Sequence, residues 1–267
     1  MKFKLCDAKS LDIVKTFECG QCFRWNANDK GVYTGVVGRY LAEVETVDNE
    51  VYITSDAPAE MWADYFDLAT DYAAVSADFT GEYLHECIDY GMGIRILRQD
   101  SWEALCSFII SQCNNITRIK GIVERLCEQF GDKCEANGVG YYTFPSAERL
   151  AALRPSDLSG IRAGYRAEYI IAAARAVTTG ELDLDALKTC DYREAIKTLR
   201  QIRGVGEKVA NCVVLFGLYH MEAFPIDVWM KRALKEHFPA DFDPTSLGAY
   251  AGLAQQYIFY YSRSGGK

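Results

Sequence analysis

No apolar stretch in this sequence approaches the roughly 20 residues that a bilayer-spanning helix needs. The run at 213–218 is far too short. The start, "MKFKLCDAKS", reaches Asp7 and Lys9 before any apolar signal region could form, so no signal peptide is expected. There is no low-complexity segment, no long linker and no internal repeat. His85, His220 and His237 are scattered, and no cluster of metal-ligating side chains is visible. Cysteine, by contrast, is plentiful, with ten residues in 267. Without export these are expected to be free thiols in a reducing cytoplasm. Cys19 and Cys22 in "FECGQCFRW" have C-x-x-C spacing. A zinc site would need two more ligands, typically a second close pair, and none is spaced that way. A redox pair usually opens a helix in a thioredoxin-like context, which is also missing. The spacing reads as incidental.

Basic charge is in deficit overall, with a net charge of −8. Its distribution is uneven. Residues 1–92 hold 7 Lys/Arg against 17 Asp/Glu, and residues 93–267 hold 22 against 20. Between residues 193 and 235 there are eight basic and four acidic side chains. Attraction to phosphate needs only a local basic footprint. On charge alone, ordinary solvated charge is the simpler explanation.

The front of the chain reads as β. Residues 32–55, "VYTGVVGRYLAEVETVDNEVYITS", alternate apolar and polar residues, with breaks at Gly38 and Asp48-Asn49. An antiparallel meander with one buried face follows. After Pro58 the spacing turns helical: Met61, Tyr65 and Phe66 share one face, and Tyr83, Leu84 and Cys87 another. From residue 97 onward nothing reads as strand. Helices are expected from Asp100 or Ser101 through Gln112, then at 116–130, 166–178, 191–201, 207–218, 227–237 and 246–261. The fold class is α+β: an antiparallel sheet domain at 1–92, then an all-helical domain at 93–267. The tail "SRSGGK" has the composition of an unstructured end.

The most informative stretch is "LRQIRGVGEKVANCVVLFGL". A helix ends near Gln201, Gly204-Val205-Gly206 make a tight turn, and a second helix starts at Glu207. Glycines permit positive φ and close backbone approach. The free N–H groups opening the second helix form an anion site. A hairpin at 199–212 can therefore hold a DNA phosphate without reading a base. Alone, it is equally an ordinary glycine-closed helical hairpin. Lys208 lies beside that anion site, and Asp227 follows in "FPIDVWMKRAL", placed to cap the next helix.

Together, "GVGEKVANC…PIDV" resembles the helix-hairpin-helix (HhH-GPD) DNA glycosylase superfamily in residues and spacing. The resemblance makes Lys208 the nucleophile and Asp227 the second catalytic residue. The last cysteine, Cys212, precedes Asp227, so the four-cysteine iron–sulfur cluster of some members is not expected. Lys208 argues against the alkylated-base branch, which lacks the lysine. "GQCFRW", residues 93–131, "AGYRAEYI" and "AGLAQQYIFYYSR" are similar, in order, to the 8-oxoguanine DNA glycosylases. The resemblance covers most of the chain. It implies a TATA-binding-protein-like sheet domain in front of a helical glycosylase core. It also implies a duplex bent so that the damaged base can be flipped out.

The implied chemistry is attack by the Lys208 amine on the anomeric carbon of deoxyribose. The base leaves, a Schiff base forms, and β-elimination cuts the strand 3′ to the lesion. An ordinary lysine, with a pKa of ~10.4, must be kept partly neutral for this. Asp227 would stabilise positive charge on the sugar. By resemblance Cys212 and Phe259 sandwich the base, and Gln255 meets its Watson–Crick edge, since an amide both donates and accepts. The carbonyl of Gly20 accepts from N7–H of 8-oxoguanine, where guanine has only a lone pair. Arg118 and Arg166 read the cytosine left behind, Tyr165 wedges into the duplex, and Asn114 and Asn115 fill the vacated space. Cys113 stands where animal enzymes place an asparagine, and a thiol is a poor substitute for an amide. Trp229 stands where they have a phosphate-contacting histidine. Gly204, Val205, Gly206 and Trp229 form the expected phosphate contacts.

The expected protein is a bifunctional 8-oxoguanine glycosylase and AP lyase of base excision repair. It would be a monomer on double-stranded DNA, independent of membrane and cofactor. It would be cytoplasmic, with the nucleoid if bacterial, or nuclear if eukaryotic. Two alternatives stay open: a related glycosylase for another oxidised or alkylated purine, and a non-catalytic DNA-binding module that keeps the hairpin.

Overall fold

The computed structural model describes residues 1–136 and 138–265. Strands β1 (Lys2–Asp7), β2 (Asn26–Ala27), β3 (Tyr33–Val37), β4 (Tyr40–Val47) and β5 (Glu50–Ser55) form one antiparallel sheet in the order β1-β5-β4-β3-β2. The turn between β4 and β5 holds Asp48 and Asn49 at φ 48° and 64°. Two left-handed residues in a two-residue loop match the twist of the strands they join. Ala42, Val44, Val51 and Ile53 point to one face of the sheet. That face packs on α1 (Ile13–Glu18) and α2 (Ala59–Tyr65) around Phe17, Trp25, Trp62 and Phe66. The Phe17 and Trp25 rings stack at 4.4 Å.

Helices α3 (Tyr72–Ala77) and α4 (Glu82–Gly91) lead away from the sheet. They bury Tyr72, Leu84, Cys87 and Ile88 in a second, larger core, shared with the helices that follow. These are α5 (Ser101–Ser111), α6 (Ile116–Phe130), α7 (Ala147–Ala151), α8 (Arg166–Thr178), α9 (Leu184–Leu187), α10 (Tyr192–Leu199), α11 (Glu207–Phe216), α12 (Val228–His237) and α13 (Ala251–Ser264). Asp100 caps α5, Asn115 caps α6 and Asp227 caps α12, each through its side-chain oxygen.

Three expectations need correction. A hairpin of β6 (Lys133–Ala136) and β7 (Val139–Tyr142) follows α6, where no strand was expected. Its residues are exposed or only half-buried, so the strands lack the apolar alternation that reveals a packed sheet. The helix expected at 246–261 starts at Ala251, after a 3₁₀ segment at Pro244–Tyr250. The tail is not loose through residue 264: α13 continues to Ser264, whose hydroxyl donates to the Tyr260 carbonyl at 2.8 Å. Gly266 and Lys267 lie outside the described residues. Among the described residues no helix is long and apolar enough to cross a membrane.

Candidate active site

Two adjoining cavities lie where α5, α11, α12, α13 and the Cys19–Cys22 loop meet. The outer one, about 360 Å³, is lined by Gly20, Asn114, Ile116, Trp229, Arg263 and others. The inner one, about 50 Å³, is a slot between Cys212, Gln255 and Phe259. Gly20, Phe108, Lys208, Asp227 and Phe259 border both. A larger groove of about 890 Å³ runs past Ser10, Tyr72, Met92 and Arg95. Its main charged group is already committed: the Arg95 guanidinium donates to the carbonyls of Ser10, Phe66, Asp67 and Thr70. Volume alone does not mark the reactive site; unpaired polar groups do.

Lys208 sits in the first turn of α11, and its Nζ donates to the Ser111 hydroxyl at 3.3 Å, with the Phe108 ring centroid 5.5 Å away. Asp227 is half-buried. Its Oδ1 accepts from the N–H groups of Trp229 and Met230 at 3.0 and 2.9 Å. The cap thus fixes one carboxylate oxygen and leaves the other for the cavity. Cys212, one turn beyond Lys208 on the same face of α11, is buried. Burial pushes its thiol pKa up, against the pull of Lys208, so sulfur meets the slot as an uncharged, polarisable wall.

The Cys19–Cys22 loop is held carbonyl by carbonyl. Arg263 Nη2 donates to the Glu18 carbonyl. Gln256 donates to Cys19 O at 2.8 Å, and Gln99 donates to Gln21 O at 2.9 Å. Among the described residues the Gly20 carbonyl has no donor. Gln21 braces the loop from below. Its amide donates to Thr16 O and Arg95 O at 3.0 and 2.7 Å and accepts from Leu97 N–H at 2.9 Å. Gly20 has φ +83°, a conformation glycine adopts without strain. A Cβ there would meet Phe259, Arg263 and Ile116 at 3.5–3.6 Å, so it would fit but would project among the cavity's own walls. The two flanking thiols diverge, with Cys19 in the large core and Cys22 in the sheet core. Burial raises both, Cys19 to about 11. Among the described residues no three His, Cys, Asp or Glu side chains converge to hold a metal.

Deeper in, Gln255 is 4% exposed and its Oε1 has no partner. Buried polar atoms rarely stay unpaired. Gln255 lines the slot together with Cys212 and Phe259.

A second cluster surrounds the turn 112–115. Cys113 holds φ 47° and is exposed. Asn114 donates to Ile110 O at 3.2 Å and Asn115 caps α6, and both line the outer cavity. Arg118 is exposed on α6. Tyr165 is 52% exposed, its ring 5.6 Å from Tyr169. Arg166, expected beside the opposite cytosine, lies at the same turn. It is 4% exposed, and its guanidinium donates to the carbonyls of Gln112, Cys113 and Ala163. The left-handed residue at Cys113 turns carbonyls inward, and Arg166 satisfies them. Gln112, which carries no signal in the sequence, donates in turn to the Gly204 carbonyl at 2.9 Å. Gly204 has φ +87°, and any Cβ there would come within 2.1 Å of the Tyr169 ring. Wedge, turn and hairpin therefore form one braced unit. Gly206 precedes α11 with no side-chain cap, so its first N–H groups stay open. Val205 is buried, and Trp229 lies at the cavity mouth with Arg232 5.6 Å from its ring.

Comparison with known proteins agrees with this geometry. Residues 4–105 match the 8-oxoguanine DNA glycosylase N-terminal domain, and residues 106–252 match the HhH-GPD superfamily of base excision DNA repair proteins. The 8-oxoguanine glycosylase/lyase of Clostridium acetobutylicum is solved with double-stranded DNA containing cytosine opposite 8-oxoguanine. It is 34% identical with a TM-score of 0.90, over 100% of this chain and 99% of that one. An Arabidopsis thaliana N-glycosylase/DNA lyase is 28% identical over 93% of this chain and 76% of its own. A Bacillus subtilis DNA-3-methyladenine glycosylase is 33% identical over 71% of this chain and 68% of its own. With a sheet domain and a helical core matched in order along one chain, this protein belongs to the 8-oxoguanine DNA glycosylase family of the HhH-GPD superfamily.

Proposed function

We propose that this protein is a bifunctional DNA glycosylase and AP lyase that removes 8-oxoguanine opposite cytosine. The observation that carries the reading is the Gly20 carbonyl. The carbonyls on both sides of it, those of Cys19 and Gln21, are held by donors from elsewhere in the chain, whereas among the described residues no donor pairs it, and Gly20 borders both cavities. An unpaired acceptor there attracts N7–H of 8-oxoguanine and repels the N7 lone pair of guanine. One such bond is worth ~1–3 kcal/mol, so recognition draws on other contacts as well. The orphaned Gln255 Oε1 suits the N–H donors of the base's Watson–Crick edge. Cys212 and Phe259 supply the two faces of the slot.

Residues 1–92 would present the reading loop and residues 93–267 the chemistry. The duplex phosphates would rest on the open start of α11 at Gly204, Val205 and Gly206, with Trp229 at the edge. Tyr165 would wedge into the stack, with Asn114, Asn115 and Arg118 facing the opposite cytosine and Arg166 holding their turn in shape. Lys208 would attack C1′ of the flipped nucleotide while the free oxygen of Asp227 stabilises the sugar cation. The C1′–N9 bond breaks and the base leaves with the proton that the attacking amine gives up; the C1′–O4′ bond then opens, O4′ takes a proton, and the amine becomes a protonated Schiff base. Loss of a C2′ proton then expels the 3′ phosphate. No cofactor enters these steps.

Excision of an alkylated purine is a second reading, favoured by the Bacillus subtilis relative. Such bases are mostly cationic, and Lys208 and Arg263 at the cavity would repel them. A panel of lesion duplexes, each with four opposite bases, tests both. Fastest release of 8-oxoguanine opposite cytosine is expected. Preference for an alkylated purine, or no base release at all, would overturn the proposal.

A further inference from the structure

Arg263 is placed as no surface arginine is. Its Nη2 is anchored on the Glu18 carbonyl, and its guanidinium carbon lies 5.5 Å from the Phe259 ring centroid. Its Nη1 is buried and has no hydrogen-bond partner. That nitrogen lies 3.6 Å from the point where a Cβ on Gly20 would sit, at the wall of the outer cavity. The anchor alone requires one N–H group. A second one, stripped of water and left unpaired, is destabilising unless something else accepts from it.

The free acceptor at Gly20 and the free donor on Arg263 are therefore neighbours. 8-Oxoguanine differs from guanine along one edge only. There N7–H, a donor, stands next to C8=O, an acceptor. Guanine offers a lone pair and a C–H at the same two positions. We infer that Arg263 Nη1 donates to the 8-oxo oxygen while the Gly20 carbonyl accepts from N7–H, so that both atoms distinguishing the lesion are read together. This inference rests on 8-oxoguanine being the substrate. A guanidinium suits the task, because one nitrogen can stay on Glu18 while the other reaches the base.

The test is equilibrium binding at one fixed salt concentration, since DNA affinity depends on it. Three duplexes are used: uncleavable 2′-fluoro 8-oxoguanine, 2′-fluoro guanine and a tetrahydrofuran abasic analogue, each opposite cytosine. Arg263→Leu should lower the preference for 8-oxoguanine over guanine by about ten-fold or more, the size of a charged hydrogen bond. Its affinity for the other two duplexes should hold. Arg263→Lys keeps a cation for the Glu18 carbonyl but has no second nitrogen. It should lose the same preference, and it serves if the leucine variant does not fold. If affinity falls equally for all three duplexes, Arg263 holds phosphate or structure and the inference is wrong. An unchanged preference in both variants also overturns it. If the wild-type protein shows no preference for 8-oxoguanine over guanine, the substrate assignment itself fails, and that outcome is distinct from the others.

Discussion

The side-chain amide of Gln256, on the last helix, donates to the carbonyl of Cys19 at 2.8 Å, across 237 residues of chain. The bond ties α13 to the loop that carries Gly20. Gln255, the next residue, lines the slot, and its own buried acceptor has no partner. Adjacent glutamines thus sit differently: one holds the loop, and the other lines the slot. Gln256→Leu should leave a buried carbonyl unpaired and destabilise the fold by ~1–3 kcal/mol. It should also lower 8-oxoguanine release more than it lowers strand cleavage at a preformed abasic site. Thermal unfolding and single-turnover kinetics check the two parts. Equal loss of both activities would mean that Gln256 supports stability alone.

Gly20→Ala tests the loop from within. At φ +83° an L-residue is strained by ~1–2 kcal/mol, and the added methyl points among Phe259, Arg263 and Ile116. A lower melting temperature and slower 8-oxoguanine excision are expected. An alanine enzyme with wild-type excision would show that backbone geometry at Gly20 does not matter to recognition.

Much of this was legible beforehand, for identifiable reasons. Helices α6 and α8 fall at 116–130 and 166–178 as expected, because each carries a continuous apolar stripe and Asn115 supplies a cap. Lys208, Cys212 and Asp227 could be placed on one cavity through the "GVGEKVANC…PIDV" pattern, and Gln255 through the resemblance of "AGLAQQYIFYYSR" to the 8-oxoguanine DNA glycosylases. Arg166 and Arg263 could not. Their partners are backbone carbonyls from segments 54 and 245 residues away, and no pattern in side-chain types encodes a carbonyl's direction. Gln112 was missed for the same reason, and Ser111 because its partner, the Lys208 amine, lies 97 residues away. Arg263 was further hidden by the polar, glycine-ended tail around it.

Cys113 adopts a left-handed conformation that asparagine takes more readily than cysteine. Cys113→Asn should therefore be neutral or mildly stabilising. It should also sharpen the preference for cytosine over adenine opposite the lesion, by adding an amide at the turn. Excision rates on the two duplexes give the ratio. A ratio that falls would mean the turn is built around the thiol.

A pH effect should come from Glu103, which is half-buried beside Arg24, with Oε2 3.5 Å from Nη1. Burial raises its carboxyl to about 7, although Arg24 pulls the other way. The folded protein therefore holds a proton that the unfolded chain releases near the ordinary carboxylate value. Stability from this group is present at low pH and is lost as pH rises from about 4.5 to about 7. The gap in unfolding free energy between wild type and Glu103→Gln should move against the wild type across that window. A gap independent of pH would contradict the assignment.

The central claim is that Lys208 forms a covalent bond to the sugar of 8-oxoguanine DNA. Borohydride reduction during reaction with an 8-oxoguanine:cytosine duplex measures it directly. Wild-type protein should be trapped as a protein–DNA adduct whose linked peptide contains Lys208, and Lys208→Gln should give neither adduct nor base release. Absence of an adduct from active wild-type protein, or an adduct that persists in Lys208→Gln, would contradict the account.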